Sequence, residues 1–171
     1  MRYFFCLLIL VASTAQAAID RKIALFQKTN QYLTNGSVTG GQSATGSSSF
    51  SILDVRRIFA AKDKVERILI EVGDDKGHPL INKLSYFQVS VEKNRPRVVI
   101  NLSQTVASNV DQQKLRKLFL SSPYVKDAKI NFDPVDLSMT MQLVLKKAVL
   151  LEVFEMKSKN KGSRLVVDLK G

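Results

Sequence analysis

The feature that most constrains this chain is a hexamer that occurs twice in the same phase. Arg97-Val98-Val99-Ile100-Asn101-Leu102 returns as Arg164-Leu165-Val166-Val167-Asp168-Leu169. Val98, Ile100 and Leu102 alternate with Arg97, Val99 and Asn101, just as Leu165, Val167 and Leu169 alternate with Arg164, Val166 and Asp168. A period of two in aliphatic residues marks a half-buried strand. The flanking sequence repeats as well. Asp54-Val55-Arg56-Arg57-Ile58-Phe59 resembles Asp127-Ala128-Lys129-Ile130-Asn131-Phe132 at an offset of 73, which also carries Ile68, Ile70 and Val72 onto Met141, Leu143 and Leu145. An offset of 65 carries Val89 and Val91 onto Phe154 and Met156, and one of 67 carries Arg97 onto Arg164. Both changes of offset are even, so the inward face of every strand is expected to be kept.

Two four-strand units follow from this pattern, at 52–102 and 124–169. Between them Leu115, Leu118 and Phe119 form an apolar stripe at i, i+3 and i+4, with Lys114, Arg116 and Lys117 outside it. That spacing predicts a short helix over 111–120, stopped by Ser121-Ser122-Pro123. A four-stranded sheet with one apolar face needs a cover, and an internal duplicate supplies one. The expected fold is all-β: a sandwich of two internally repeated four-stranded antiparallel sheets, with a short helix linking the halves. Met139, Met141 and Met156 are assigned to its core. Two long repeats are too few for a solenoid.

The chain opens with Met1-Arg2, an apolar run over 3–11 and the small-x-small site Ala15-Gln16-Ala17. These are the parts of a secretory signal peptide, residues 1–17, cleaved after Ala17. The expected location is therefore periplasmic. The only cysteine, Cys6, falls in that leader, so the exported domain is expected to hold together by burial, without disulfides. No later run is long and apolar enough for a membrane helix, so no transmembrane segment is expected after cleavage. Residues 18–34 read as a short helix or extended segment from Ile19, Ile23, Phe26 and Leu33. Residues 35–51, rich in Gly and Ser, read as a flexible linker ahead of a domain at 52–171.

The formal net charge is +11. In an exported protein it points away from nucleic acid and toward anionic envelope glycans or lipid surfaces. Catalytic chemistry is hard to assemble. The single histidine, His78, lies in the turn-like stretch Asp74-Asp75-Lys76-Gly77-His78-Pro79, too little for a zinc site. Asp74, Asp75, Asp133 and Asp136 sit in turns that place no two opposite a sugar bond, and Asp133-Pro134-Val135-Asp136 is no calcium loop. Gly40-Gly41 lacks the Gly-Lys-Ser/Thr ending of a phosphate loop. No enzyme, metal or cofactor is expected. The binding candidates are outward-facing cations, Arg56, Arg57, Arg97 and Arg164, whose forked guanidinium suits carboxylates. Asp168 belongs with them, because it lies four residues from Arg164 on one strand, roughly 13 Å away, and must find a partner across strands or in a ligand. Lys157, Lys159 and Lys161 add a basic hairpin tip.

Two halves that each close with Arg-aliphatic-aliphatic-aliphatic-Asp/Asn-Leu, with Val55-Arg56-Arg57 opening the first, resemble the AMIN domain. The similarity covers 52–171, and Asn101 stands where the family carries an acid. The resemblance implies a sandwich of two related sheets that binds peptidoglycan and localises its host protein, often to the division site. Such domains occur beside cell-wall amidases and at the front of outer-membrane secretins of the type IV pilus. Because this chain leaves no room for either, the resemblance implies a stand-alone module, with peptidoglycan or another anionic envelope glycan as partner. The alternative is a protein–protein adaptor for an amidase, secretin, pilus or division component.

Overall fold

The computed structural model describes residues 32–43, 49–92, 94–158 and 162–171. The expected signal peptide and nearly all of the expected N-terminal helix lie outside them. The described elements are β1 (Gly36–Gly40), β2 (Phe50–Ala60), β3 (Val65–Asp74), β4 (Phe87–Glu92), β5 (Arg97–Leu102), β6 (Thr105–Ser108), α1 (Gln112–Phe119), β7 (Val125–Asp133), β8 (Ser138–Leu145), β9 (Leu150–Met156) and β10 (Arg164–Lys170). They make two five-stranded sheets, ordered β6-β2-β3-β10-β9 and β1-β4-β5-β8-β7, and neither closes into a barrel. We name them by their inner pairs, the β3–β10 sheet and the β5–β8 sheet.

Both sheets differ from the expectation in composition. Each was expected to hold four strands from one half of the chain, yet each takes one hairpin from either half. β2–β3 joins β9–β10, and β4–β5 joins β7–β8. Alternation specifies which face of a strand is buried but not which strand lies beside it, so both arrangements bury the same side chains. A fifth strand is added at one edge of each sheet, and β6 pairs with β2 in parallel.

The registers carry the 73-residue offset through. β2–β3 sets Asp54 opposite Glu71 after an irregularity between Ile52 and Asp54. β7–β8 sets Asp127 opposite Val144 after one between Val125 and Asp127. At the meeting of the halves Arg164 faces Glu71 and Arg97 faces Val144. The remaining hairpin corrects the sequence reading by one residue. Its registers, Val89 with Ile100 and Val153 with Val167, match Val89 to Val153 rather than Phe154. Leu151 and Val153 face the core, while Phe154 lies outside the core cluster and Met156 is only half-buried. Leu150, Leu151, Val153 and Phe154 are all apolar, so the alternation that sets the phase elsewhere is missing here.

One core cluster draws on both sheets. Ile68, Ile70, Val72, Leu165, Val167 and Leu169 from one cluster with Val98, Ile100, Leu102, Met141 and Leu143 from the other. Fully burying a side chain of this kind contributes about 1.5–3 kcal/mol. Helix α1 forms where its stripe requires. Asp111 caps it by accepting from the Lys114 N–H at 2.7 Å, and Leu115 and Phe119 are buried beneath it. Behind it the Ser122 hydroxyl accepts from the N–H groups of Tyr124 and Val125, which turns the chain into β7.

The segment read as a flexible linker is in part a strand. Val38 packs on the core and β1 pairs with β4 along its whole length. Ahead of it, Leu33 exchanges two 2.8 Å backbone hydrogen bonds with Leu151 on β9. The stretch from Leu33 to Gln42 therefore binds the edges of both sheets. Gly41 ends it at φ +79°, with no room for a Cβ against the Ser85 backbone, and donates its N–H to Glu155 Oε1 at 2.7 Å. This order comes from backbone pairing, which a Gly/Ser composition does not announce.

The β7 edge is guarded differently. The Gln112 side-chain amide donates to the Ala128 carbonyl at 2.7 Å, and its Oε1 accepts from the Ile130 N–H at 3.0 Å, as a neighbouring strand would. An open strand edge is a template for association. Gln112→Ala is expected to cost about 1–2 kcal/mol, from two lost hydrogen bonds. It should also give concentration-dependent self-association in analytical ultracentrifugation, while the parent sediments without that trend.

Candidate functional site

The candidate arginines do not share one face. Arg56 and Arg164 meet on the outer face of the β3–β10 sheet, where both reach Glu71 Oε2, at 3.1 and 3.4 Å. Arg56 also binds Asp54 at 2.8 Å, and Lys114 approaches the same carboxylate at 3.6 Å. Burial works to raise the Asp54 pKa, but the Arg56 hydrogen bond and the charges of Lys114 and Arg56 prevail and hold it below the usual carboxylate range. Arg57 turns to the other side of β2. Its Nη1 donates to Glu66 Oε1 at 2.9 Å and its Nη2 to Ser121 Oγ at 2.6 Å. Glu66 is fully buried, and its second oxygen accepts from Ser122 Oγ at 2.7 Å. That arginine completes a buried network. Arg97 stands on the β5–β8 sheet, where it donates to Glu92 at 2.7 Å and draws the Glu92 pKa down. Its Nε is buried with no partner among the described residues. Lys157 pairs with Glu155 at 3.3 Å, and Lys159 and Lys161 lie outside the described residues.

Asp168 has the cross-strand partner its position demands. Arg67 on β3 grips it through two parallel bonds, Nε–Oδ1 at 2.8 Å and Nη2–Oδ2 at 2.7 Å. The same guanidinium lies 5.4 Å from the centre of the Phe154 ring, and its pKa is raised chiefly by the Asp168 bond. The sequence reading missed Arg67, although alternation with the inward Ile68 and Ile70 puts it on the polar face of β3. At the equivalent place in the other sheet stand Asn101 and Thr140, with Thr140 Oγ1 donating to Asn101 Oδ1 at 2.7 Å. Where the acid becomes an amide, the arginine facing it becomes a hydroxyl. A neutral pair replaces an ionic one at the same register.

The two outer faces consequently differ. On the β3–β10 sheet Glu152, Phe154, Val166 and Asp168 are all buried. On the β5–β8 sheet the register lines up Thr39, Gln88, Asn101, Thr140 and Asn131 in one row across all five strands. The next row is Ser37, Ser90, Val99, Gln142 and Lys129. Ser37, Thr39, Gln88, Lys129 and Asn131 are exposed and the rest half-buried. Strands lie about 4.8 Å apart, so each row runs roughly 19 Å across the sheet, the first wholly of amide and hydroxyl groups and the second with Val99 and Lys129 among them. Exposed Tyr86, two residues before Gln88, stands beside this face.

Other clusters offer less. His78 Nδ1 lies 3.2 Å from Asp74 Oδ2 in an exposed turn, where the backbone N–H groups of Lys76 and His78 donate to Asp74 Oδ1. Among the described residues no three His, Cys, Asp or Glu side chains converge as metal ligands would. Among them, too, no helix is long and apolar enough to cross a membrane.

Comparison with known proteins found no family model that matches the chain and no matching curated protein.

Removing the Asp168 carboxylate should leave the half-buried Arg67 without its charge partner. Asp168→Asn is expected to destabilise by about 2–4 kcal/mol in urea unfolding. The double variant Asp168→Asn/Arg67→Thr, which copies the Asn101–Thr140 pair, should recover much of that loss. For Asp54 the pKa is lower in the folded state, so its stabilisation is present above the ordinary carboxylate pKa and fades as pH falls through the depressed value. The stability difference between the parent and Asp54→Asn should thus be measurable at pH 7 and shrink as pH falls below the ordinary carboxylate range.

Proposed function

We propose that this protein is a non-catalytic, exported wall-binding module of the AMIN kind, a sandwich of two internally repeated units that holds peptidoglycan on the outer face of its β5–β8 sheet. The two polar rows across five strands carry this reading. Glycan chains present many hydroxyl and acetamido groups, and a field of amide and hydroxyl side chains can answer them with repeated neutral hydrogen bonds. Exposed Lys129, at the β7 end of its row, supplies charge for the carboxylates of stem peptides, and Arg97 could do so only in exchange for Glu92. The ion-paired arginines of the β3–β10 sheet serve this role less well, because a ligand would have to displace Glu71 or Asp168 first.

The matching registers of β2–β3 with β7–β8, and of β3–β10 with β8–β5, support the internal repeat, and the shared core supports face-to-face stacking of the sheets. The basic charge and the leader-like N-terminus support a place in the periplasm, where anionic wall polymer is the abundant ligand.

The test is co-sedimentation of the protein with purified sacculi across a salt series. The parent is expected to pellet at physiological salt. Gln88→Ala/Asn131→Ala should lower retention about tenfold, as two lost hydrogen bonds imply, whereas Arg56→Ala on the other sheet should leave it unchanged. Failure of the parent to pellet at any salt would reject wall binding. Equal retention of the Gln88/Asn131 variant would reject this face as its site.

A further inference from the structure

One end of the molecule carries a second surface of different chemistry. The turn of the β2–β3 hairpin brings Ile58, Phe59, Lys62 and Lys64 together, and the end of α1 packs beside it. Arg57 reaches Ser121, Glu66 reaches Ser122, and the Phe59 ring meets Tyr124 edge-on at 6.3 Å between centroids. The Tyr124 hydroxyl donates to the Lys64 carbonyl at 2.7 Å. Three large apolar side chains protrude here: Ile58 is 54% exposed, Phe59 42% and Leu120 81%. Scattered exposed apolar residues are ordinary, but these stand at one end of the molecule, with Ile58 and Phe59 on opposite sides of β2 and Leu120 beside the Ser121 that Arg57 reaches.

The rim of that tip is lysine. Lys146 and Lys147 follow β8, with Lys146 Nζ donating to the Ser122 carbonyl at 2.6 Å and Lys147 Nζ 5.1 Å from the Tyr124 ring centre. Lys170, opposite Val65, lies 5.3 Å from the ring centre of half-exposed Tyr32. Among the described residues none of Lys62, Lys64, Lys146, Lys147 and Lys170 is paired with a carboxylate, and Asp63 is the one exposed acid in the turn.

From this arrangement we propose that the tip docks on an anionic phospholipid surface, with Ile58, Phe59 and Leu120 entering the headgroup region and the lysines over the lipid phosphates. Charge complementarity selects the occupant. Protein interfaces favour arginine and are depleted in lysine, and the arginines beside the tip are taken up, Arg57 by Glu66 and Ser121 and Arg67 by Asp168. Compact, hydrated ammonium groups on flexible stems suit the diffuse charge of a lipid surface. Apolar side chains that protrude singly, without forming a groove, suit insertion at the interface. The proposal is independent of wall binding, which uses the face of the other sheet.

The test uses the protein expressed from its full sequence and purified in the form cells deliver. Flotation with 3:1 phosphatidylethanolamine/phosphatidylglycerol vesicles is compared with pure phosphatidylcholine. The parent is expected to float with the anionic vesicles at 0.15 M salt, and less as salt rises. Lys62→Glu/Lys147→Glu should weaken binding at least tenfold. Ile58→Ser/Leu120→Ser should weaken it several-fold without changing its salt dependence. Both variants should keep the parent's circular dichroism and its retention on sacculi, so loss of lipid binding is distinguishable from loss of wall binding. Absence of binding to anionic vesicles, equal binding to neutral ones, or insensitivity to either variant would overturn the proposal. So would capture by soluble polyglutamate without vesicle binding, which would assign the tip to an acidic protein.

Discussion

Everything in this fold depends on the pairing of β3 with β10. It joins residues a hundred positions apart, from Glu71 against Arg164 to Val65 against Lys170. The inward side of that pair puts Ile68, Ile70, Leu165, Val167 and Leu169 at the centre of the core. Its outward side sets Arg67 against Asp168 and Glu71 against Arg164. A slip of one residue would exchange these two sets, exposing the aliphatic row and burying the charges. The ionic pairs and the core thus enforce the same register from opposite faces. Across the core, β5 and β8 repeat the arrangement with the neutral Asn101–Thr140 pair at the place of Asp168 and Arg67.

Edge protection follows the same economy. Segments that look like connections occupy the edges: β1 lies along β4, Leu33 along β9, β6 along β2, and Gln112 serves β7 with a side chain in place of a strand. Each leaves fewer backbone groups open to another chain.

Much of this was legible in the sequence, and the parts that were not share a cause. Alternation over 65–72, 97–102, 138–145 and 164–169 announced strands and their buried faces, and the stripe of Leu115 and Phe119 announced α1. Partnership was not announced, because alternation is a property of one strand and pairing belongs to two. The exchange of hairpins between sheets was hidden for that reason, and so was Arg67. Asp168 signalled that a partner lay across strands, but only the register of β10 on β3 names it. The run from Leu150 to Phe154 hid its phase by being apolar throughout. Gly36 to Gly40 hid its order because it comes from β4 more than from its own side chains. Of the binding candidates, residue type gave the cations, while their carboxylate partners decided which were free to act.

The exchange of hairpins also has a consequence in time. β3 and β5 each need a neighbour from the second half of the chain, and β10, which completes the middle of one sheet, is the last strand in chain order. A chain that emerges N-terminus first would have, from its first half, only three strands of each sheet, β1-β4-β5 and β6-β2-β3, with β5 and β3 left as open edges. Folding would wait for Arg164 to Lys170 to emerge and then proceed through distant contacts, which are slow to form. The two open edges are covered only when β7 to β10 have arrived.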